Sequence, residues 1–153
     1  MVTIYKPKYE DLWFRAQMLA DEETMAYNHA WGGTISFPKE NWRNWYDYWL
    51  VNHDDKRFYR YVKFEEKFVG EIAYHFDKEL KGFIANVIIF AKYRNRGFGK
   101  QALDILCNIV KEKGINSLYD DIAIDNPAIS LFIKCGFKEE YRTTDKIILK
   151  KDL

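Results

Sequence analysis

The sequence predicts a mixed α/β fold with the element order β-α-α-β-β-β-α-β-α-β-β. Three observations point to it. Apolar residues recur at helical spacing over residues 9–25 and 38–51, and strand-like runs take over from Arg57. The run from Phe83 to Phe90 is almost wholly apolar, the pattern of a strand buried on both faces and therefore central in its sheet. That run leads into a basic, glycine-containing loop, and an amphipathic helix starts there.

The elements follow in order. Val2 to Tyr5 reads as a short strand. Tyr9 to about Met25 reads as a helix, with Leu12, Trp13, Ala16, Leu19 and Ala20 on one stripe. Asn28 to Phe37 holds Gly32 and Gly33 and reads as a loop. Pro38 suits a helix start, and Trp42, Trp45, Tyr46 and Trp49 then share a face up to about Val51. Phe58–Phe64, Phe68–Phe76 and Phe83–Phe90 are three strands, turned at Glu65–Lys67 and Asp77–Gly82. Gly99 to Lys113 is a helix with Ala102, Leu103, Leu106, Ile109 and Val110 inward; Lys111 and Lys113 suit its C-terminal dipole and Gly114 its stop. Leu118 to Ile124 is a strand. Asp125 or Asn126 caps a short helix with Pro127 in its first turn, ending at Gly136. Strands near Phe137–Arg142 and Lys146–Lys150 close the chain, turned at Thr143–Asp145.

A chain of 153 residues fits one domain, here residues 1–153. Its 48% hydrophobic and 31% charged residues are a globular composition. A net charge of +1 argues against a nucleic-acid partner. No apolar run reaches the roughly 18 residues a membrane span needs, and the first residues lack an apolar signal core, so no membrane partner and a cytoplasmic location are expected. Cys107 and Cys135 match no metal or redox spacing and read as small core residues; no metal is expected. Acidic side chains outnumber basic ones up to Lys56 and the reverse holds beyond it, which suits a cationic acceptor on one side and an anionic cofactor on the other.

The chemistry concentrates in Tyr93-Arg94-Asn95-Arg96-Gly97-Phe98-Gly99. The first N–H groups of a helix lack intrahelical partners, and the helix dipole leaves positive charge there. Gly97 and Gly99 let the backbone approach an anion closely, and Arg94, Arg96 and Lys100 add charge, so a pyrophosphate is the expected ligand. Gln101 stands where a P-loop needs Ser or Thr, and Arg94 where it needs its first Gly. A dinucleotide fingerprint finds Ala102 at its third position and no suitable acidic residue closing the next strand.

Arg94-x-x-Gly97-x-Gly99 after an apolar strand resembles the [QR]-x-x-G-x-[GA] motif of the GNAT acyltransferase superfamily. The resemblance resumes at Asn126-Pro127-Ala128-Ile129-Ser130-Leu131-Phe132-Ile133-Lys134-Cys135-Gly136-Phe137, similar to N-x-x-A-x-x-L-Y-x-K-x-G-F. Together the two cover roughly residues 58–151. The resemblance implies a mostly antiparallel central sheet flanked by helices, acetyl-CoA as co-substrate, and a monomer or homodimer. It implies that amides around Arg94, Asn95, Arg96, Gly97, Phe98, Gly99 and Lys100 hold the pyrophosphate. It implies that Ile89, Phe90 and Ala91 pair with the pantetheine like an added strand. Asn126, Ser130, Phe132 and Lys134, on the short helix and its start, would flank pantetheine and thiol. In three places the chain departs from the pattern. Ala91 stands where Pro is common, the Asn126–Ala128 spacing is one shorter, and Phe132 stands where a Tyr commonly protonates the departing thiolate. Phe132 cannot.

Direct acetyl transfer to an amine needs a base to take the ammonium proton. On the strand Phe68–Phe76, Glu71, Ala73 and His75 alternate onto one face, and Glu71 acting through water or His75 acting directly are the candidates. A backbone N–H near Ile89 to Ala91 would serve the carbonyl oxygen. Tyr141, Tyr119, Cys135 or solvent would protonate the thiolate. By resemblance the acceptor pocket lies between the first two helices, where Tyr27 and Trp31 stand. Asp120 and Asp121 lie on the strand after the glycine-loop helix, and Asp121 is taken as the one meeting the amine. Aromatic faces with carboxylates suit a cation, so a small-molecule or peptide amine is expected. A non-catalytic acyl-CoA sensor and a nucleotide-binding regulatory module are the alternatives.

Overall fold

The computed structural model describes residues 1–153, the side chains of Ala30 and Trp31 excepted. Seven strands form one sheet: β1 (Thr3–Tyr5), β2 (Arg57–Phe64), β3 (Lys67–Asp77), β4 (Gly82–Ile89), β5 (Ser117–Ala123), β6 (Lys138–Arg142) and β7 (Lys146–Asp152). The spatial order is β1-β2-β3-β4-β5-β7-β6, with every pairing antiparallel except β4–β5. The apolar run from Phe83 thus forms the middle strand, as its composition predicts.

Helices cover both faces. α3 (Phe98–Glu112) and α4 (Ile129–Lys134) lie on one, where Leu103, Leu106 and Val110 pack on Ile72, Tyr74, Ala85 and Leu118. Burying each such aliphatic side chain stabilises the fold by about 1.5–3 kcal/mol. α1 (Leu12–Ala20) and α2 (Trp42–Tyr46), continued by a wide helical turn at Asp47–Val51, cover the other. There Phe14, Met18 and Leu50 meet Tyr59, Tyr61, Ile88 and Phe90. Trp45, Tyr46 and Trp49 pack against this second core, as their shared face predicts.

The first helix is shorter than its periodicity suggests. It stops at Ala20 because the Asp21 carboxylate accepts hydrogen bonds from the Thr24 N–H (2.9 Å) and the Thr24 hydroxyl (2.5 Å). Such a side-chain turn competes directly with helix continuation. A tight 3-10 turn, Ala26–Trp31, then occupies part of the expected loop. Cys107 and Cys135 are buried free thiols.

The feature that places the site is a fork. β4 and β5 share one bridge, Ile84 with Tyr119, and part beyond it. Beyond that bridge β4 remains paired with β3 alone.

Candidate active site

The turn from β4 into α3 leaves a run of backbone donors free at a helix start. Asn95 (φ 65°) and Gly97 (φ 83°) both adopt left-handed backbone, where Gly pays little and most side chains pay about 1–2 kcal/mol. Gly97 is the N-cap of α3, and its carbonyl accepts the Gln101 N–H. The N–H groups of residues 95–100 find no acceptor among the described residues. Six free amides therefore stand at the positive end of a 15-residue helix. At Gly99 an added Cβ would lie 3.1 Å from Leu131 Cδ2, so any side chain there crowds α4.

Arg94 works differently from the expected anion ligand. Its guanidinium donates to the carbonyls of Ile89 (3.0 Å), Thr24 (2.8 Å) and Glu23 (3.4 Å). It straps the end of β4 to the segment after α1. Thr24, fully buried, completes the strap by accepting the Ala91 N–H on its hydroxyl at 2.9 Å.

Between this turn and the fork runs a cavity of about 550 Å³. Val87, Ile88 and Ile89 wall one side, Asn126 to Ala128 and Leu131 another, and the turn closes one end. Phe90 donates its N–H to Val69 across the β3–β4 register. Alternate residues of an antiparallel strand turn both backbone groups to their partner, so those of Val87 and Ile89 face the gap. Phe90 and Ala91 have their N–H groups already bonded, which leaves Ile89 as the free donor of the three expected. The Ile89 carbonyl is held by Arg94. An exposed pair of side chains, His29 and Asp125, with Nε2 and Oδ2 3.2 Å apart, also borders this cavity.

A second cavity of about 460 Å³ lies on the α1–α2 side of the sheet. Glu71, Ala73 and His75 face it together, as strand alternation predicts. Glu71 is buried. It accepts from the Tyr59 hydroxyl (2.5 Å) on one oxygen and from Asn86 Nδ2 (2.8 Å) on the other, and Arg15 Nε stands 3.8 Å away. The Arg15 guanidinium lies over the Trp45 and Phe37 rings, at 4.3 and 4.7 Å. Burial and the Glu71 charge push the Tyr59 phenol well above its ordinary pKa, so it remains a donor. His75 is half-buried beside the Trp49 ring, and burial lowers its pKa below the usual imidazole value, with Asp77 opposing.

Asp120 and Asp121 both line the second cavity. Asp121, the expected amine ligand, already pairs with Lys146 at 3.2 Å, and its other oxygen is buried without a partner. Asp120 is 8% exposed and accepts the Asp121 N–H at 2.7 Å. Burial, together with the neighbouring Asp121 charge, raises its pKa well above the carboxylate range. The sequence offers both aspartates and Asp121 is the one expected to meet the amine; with Asp121 paired to Lys146, Asp120 is the carboxyl without a cationic partner.

Several expected residues line neither cavity. Tyr141 lies on β6 beyond β7, 47% exposed and two strands from the fork. Phe132 is buried against Phe137 (5.0 Å), because the single turn and a half of α4 presents Leu131 to the cavity instead. Ser130 and Lys134 point outward, the Ser130 hydroxyl donating to the Pro127 carbonyl. Phe90 packs under Phe14, and Arg96 covers the Phe64 and Phe98 rings from outside. Trp31 lies outside the described side chains. Ile89, Arg94, Asn95, Gly97, Phe98, Gly99, Lys100 and Asn126 do line the first cavity. Tyr27 lines both. Arg15, Tyr59 and Asn86, which hold Glu71, carry no sequence signal, since each depends on a contact between distant segments. Among the described residues no cluster of His, Cys, Asp or Glu suits a metal ion, and no helix is long and apolar enough to cross a membrane.

A family profile described as the acetyltransferase (GNAT) family matches residues 11–137. Among solved structures, the spermidine N-acetyltransferase of Vibrio cholerae, in complex with CoA and spermine, superposes with a TM-score of 0.82 at 18% identity, covering 99% of this chain and 95% of that one. A ribosomal-protein-alanine N-acetyltransferase of Brucella melitensis gives 0.78 at 21% identity, covering 99% of each. The PaiA N-acetyltransferase of Thermoplasma acidophilum, in complex with coenzyme A, gives 0.73 at 19% identity, covering 100% of this chain and 99% of that one. At such identities these likenesses establish the fold. No curated protein gave a significant sequence match.

Proposed function

Because this chain belongs to the acetyltransferase (GNAT) family, whose members are CoA-dependent N-acetyltransferases, we propose that it transfers acetyl from acetyl-CoA directly to a primary amine of a cationic small molecule or peptide. One observation carries the reading: two cavities, one ending at a cluster of free amides and the other lined by carboxyl groups, share Tyr27 as a wall beside the fork.

The parts fit acetyl-CoA. The free amides of residues 95–100 and the nearby Lys100 ammonium suit a diphosphate. The outward backbone groups of Val87 and Ile89 suit the amides of a pantetheine arm lying along β4. The Ile89 N–H suits an oxygen that gains charge as the acyl carbon is attacked.

On the acceptor side His75 takes the proton. Burial keeps it neutral at neutral pH, the form that accepts. Glu71, fixed between Tyr59 and Asn86, orders the amine or a water near it. Asp77 and Asp121 stand with the Trp45, Trp49 and Tyr59 rings around this cavity, an environment that favours an ammonium.

Phe132 favours a second reading, a non-catalytic acyl-CoA sensor, because the position that commonly carries a proton donor is an apolar core residue here. Thiol release from acetyl-CoA across a panel of diamines, polyamines, aminoglycosides and peptides separates the two. Turnover with at least one cationic amine is expected. Tight coenzyme binding with no thiol released by any amine selects the sensor.

A further inference from the structure

The geometry points to Tyr27 as the catalytic residue that gives a proton to the sulfur of the departing coenzyme, a role that rests on the acetyl-transfer reading above. Tyr27 is the one described residue that borders both cavities, so its side chain stands where a thioester from one meets an amine from the other. Its hydroxyl has no hydrogen-bond partner among the described residues, whereas the Tyr59 hydroxyl is committed to Glu71 and the Tyr61 hydroxyl to the Asp11 carbonyl. Tyr93 borders the first cavity alone, and Tyr119 borders neither. The helix that commonly supplies a phenol offers none: Phe132 is in the core and Ser130 faces outward.

The turn that carries Tyr27 is anchored on both sides. Arg94 holds the carbonyls of Glu23 and Thr24 before it. After it, Asn28 donates from its side chain to the Gly33 carbonyl at 2.8 Å and accepts the Gly33 N–H on its own carbonyl at 2.9 Å. Burial, with Glu71 and Asp120 nearby, disfavours the phenolate and outweighs Arg94 and Arg15. The phenol therefore holds its proton throughout the neutral range.

The step balances. The amine nitrogen forms a bond to the acyl carbon, the carbon–sulfur bond breaks, and sulfur keeps the bonding pair. The Tyr27 O–H proton passes to sulfur, giving free thiol. The phenolate regains a proton from water in the second cavity, while the surplus amine proton leaves through His75. Amine and thioester become amide and thiol.

Tyr27→Phe keeps the ring and removes the donor. We expect kcat to fall about 10²-fold or more, the scale of a positioned proton donor, with the amine KM and the coenzyme Kd within about twofold of wild type. A second readout needs no turnover. The ultraviolet absorbance of the thiolate in bound coenzyme A, followed against pH, should show thiolate forming at higher pH in the variant, because a donor to sulfur stabilises the anion. A kcat retained within about twofold overturns the assignment, and so does a thiol titration that the substitution leaves unmoved. If the wild-type protein acetylates no amine, the acetyl-transfer reading falls, and the titration alone decides whether Tyr27 meets the sulfur.

Discussion

His75 and Asp120 face one cavity, and burial drives both toward their neutral forms. For His75 the neutral form is the one that can accept a proton, as the proposed base must. Its lowered pKa keeps kcat/KM level through neutrality, with the fall coming only as pH drops below the usual imidazole value of about 6.5. His75→Gln should lower kcat/KM about 10²-fold and abolish that acidic limb; a pH profile retaining it in the variant would remove His75 as the base. For Asp120 the sign is that of a carboxyl with a raised folded-state pKa. The fold is favoured below the unfolded value of about 3.9, and the advantage is lost as pH rises through the raised one. Asp120→Asn should therefore melt higher than wild type at pH 7, by about 2–4 °C for each kcal/mol relieved, and gain nothing at pH 3. Equal melting temperatures at pH 7 would contradict the burial argument. Glu71 and His75 were legible because strand alternation aligns them. Their partners Arg15, Tyr59 and Asn86 come from three separate segments, and no local pattern announces such contacts. Tyr141 was misplaced because a strand pattern says nothing of a strand's rank in the sheet; β7 inserts between β5 and β6 and carries Tyr141 to the far edge.

At the scale of elements, the turn between β4 and α3 and the fork beside it do the positioning. Gly97 fixes the left-handed entry to the helix, and Gly99 keeps the passage beside Leu131 clear. Gly97→Val and Gly99→Leu should each weaken coenzyme A binding by tenfold or more in calorimetry while circular dichroism still reports a folded chain. Unchanged affinity in both would mean that the turn is not the phosphate site. This turn was the most legible part of the sequence, because strand, glycines and helix are contiguous and the physics of a helix start is local. α4 was less so. Its motif identified the segment, but the face that each residue presents depends on where a short helix rolls, and Leu131 rather than Phe132 turned inward to the cavity. The first helix ends at Ala20, short of the Met25 that its spacing predicts, because the Asp21 side chain captures Thr24.

Across the whole molecule, the sheet separates two tasks. On the α3 side the open edge of β4 and the helix start offer free backbone groups suited to the proposed coenzyme; on the α1–α2 side carboxyl groups and aromatic rings line the proposed amine cavity. The strap from Arg94 to Glu23 and Thr24 joins the two, so the loop bearing Tyr27 is tied to the turn that would hold the phosphates. Element order and the central strand could be read from hydrophobic period alone. The parting of β4 from β5 could not, since it is a property of pairing and not of either strand. The most direct measurement is a crystal structure with coenzyme A bound. Diphosphate oxygens are expected within about 2.7–3.2 Å of backbone nitrogens among residues 95–100, with the sulfur at the fork beside Tyr27. Coenzyme seated elsewhere, with those N–H groups turned to solvent, would contradict this placement.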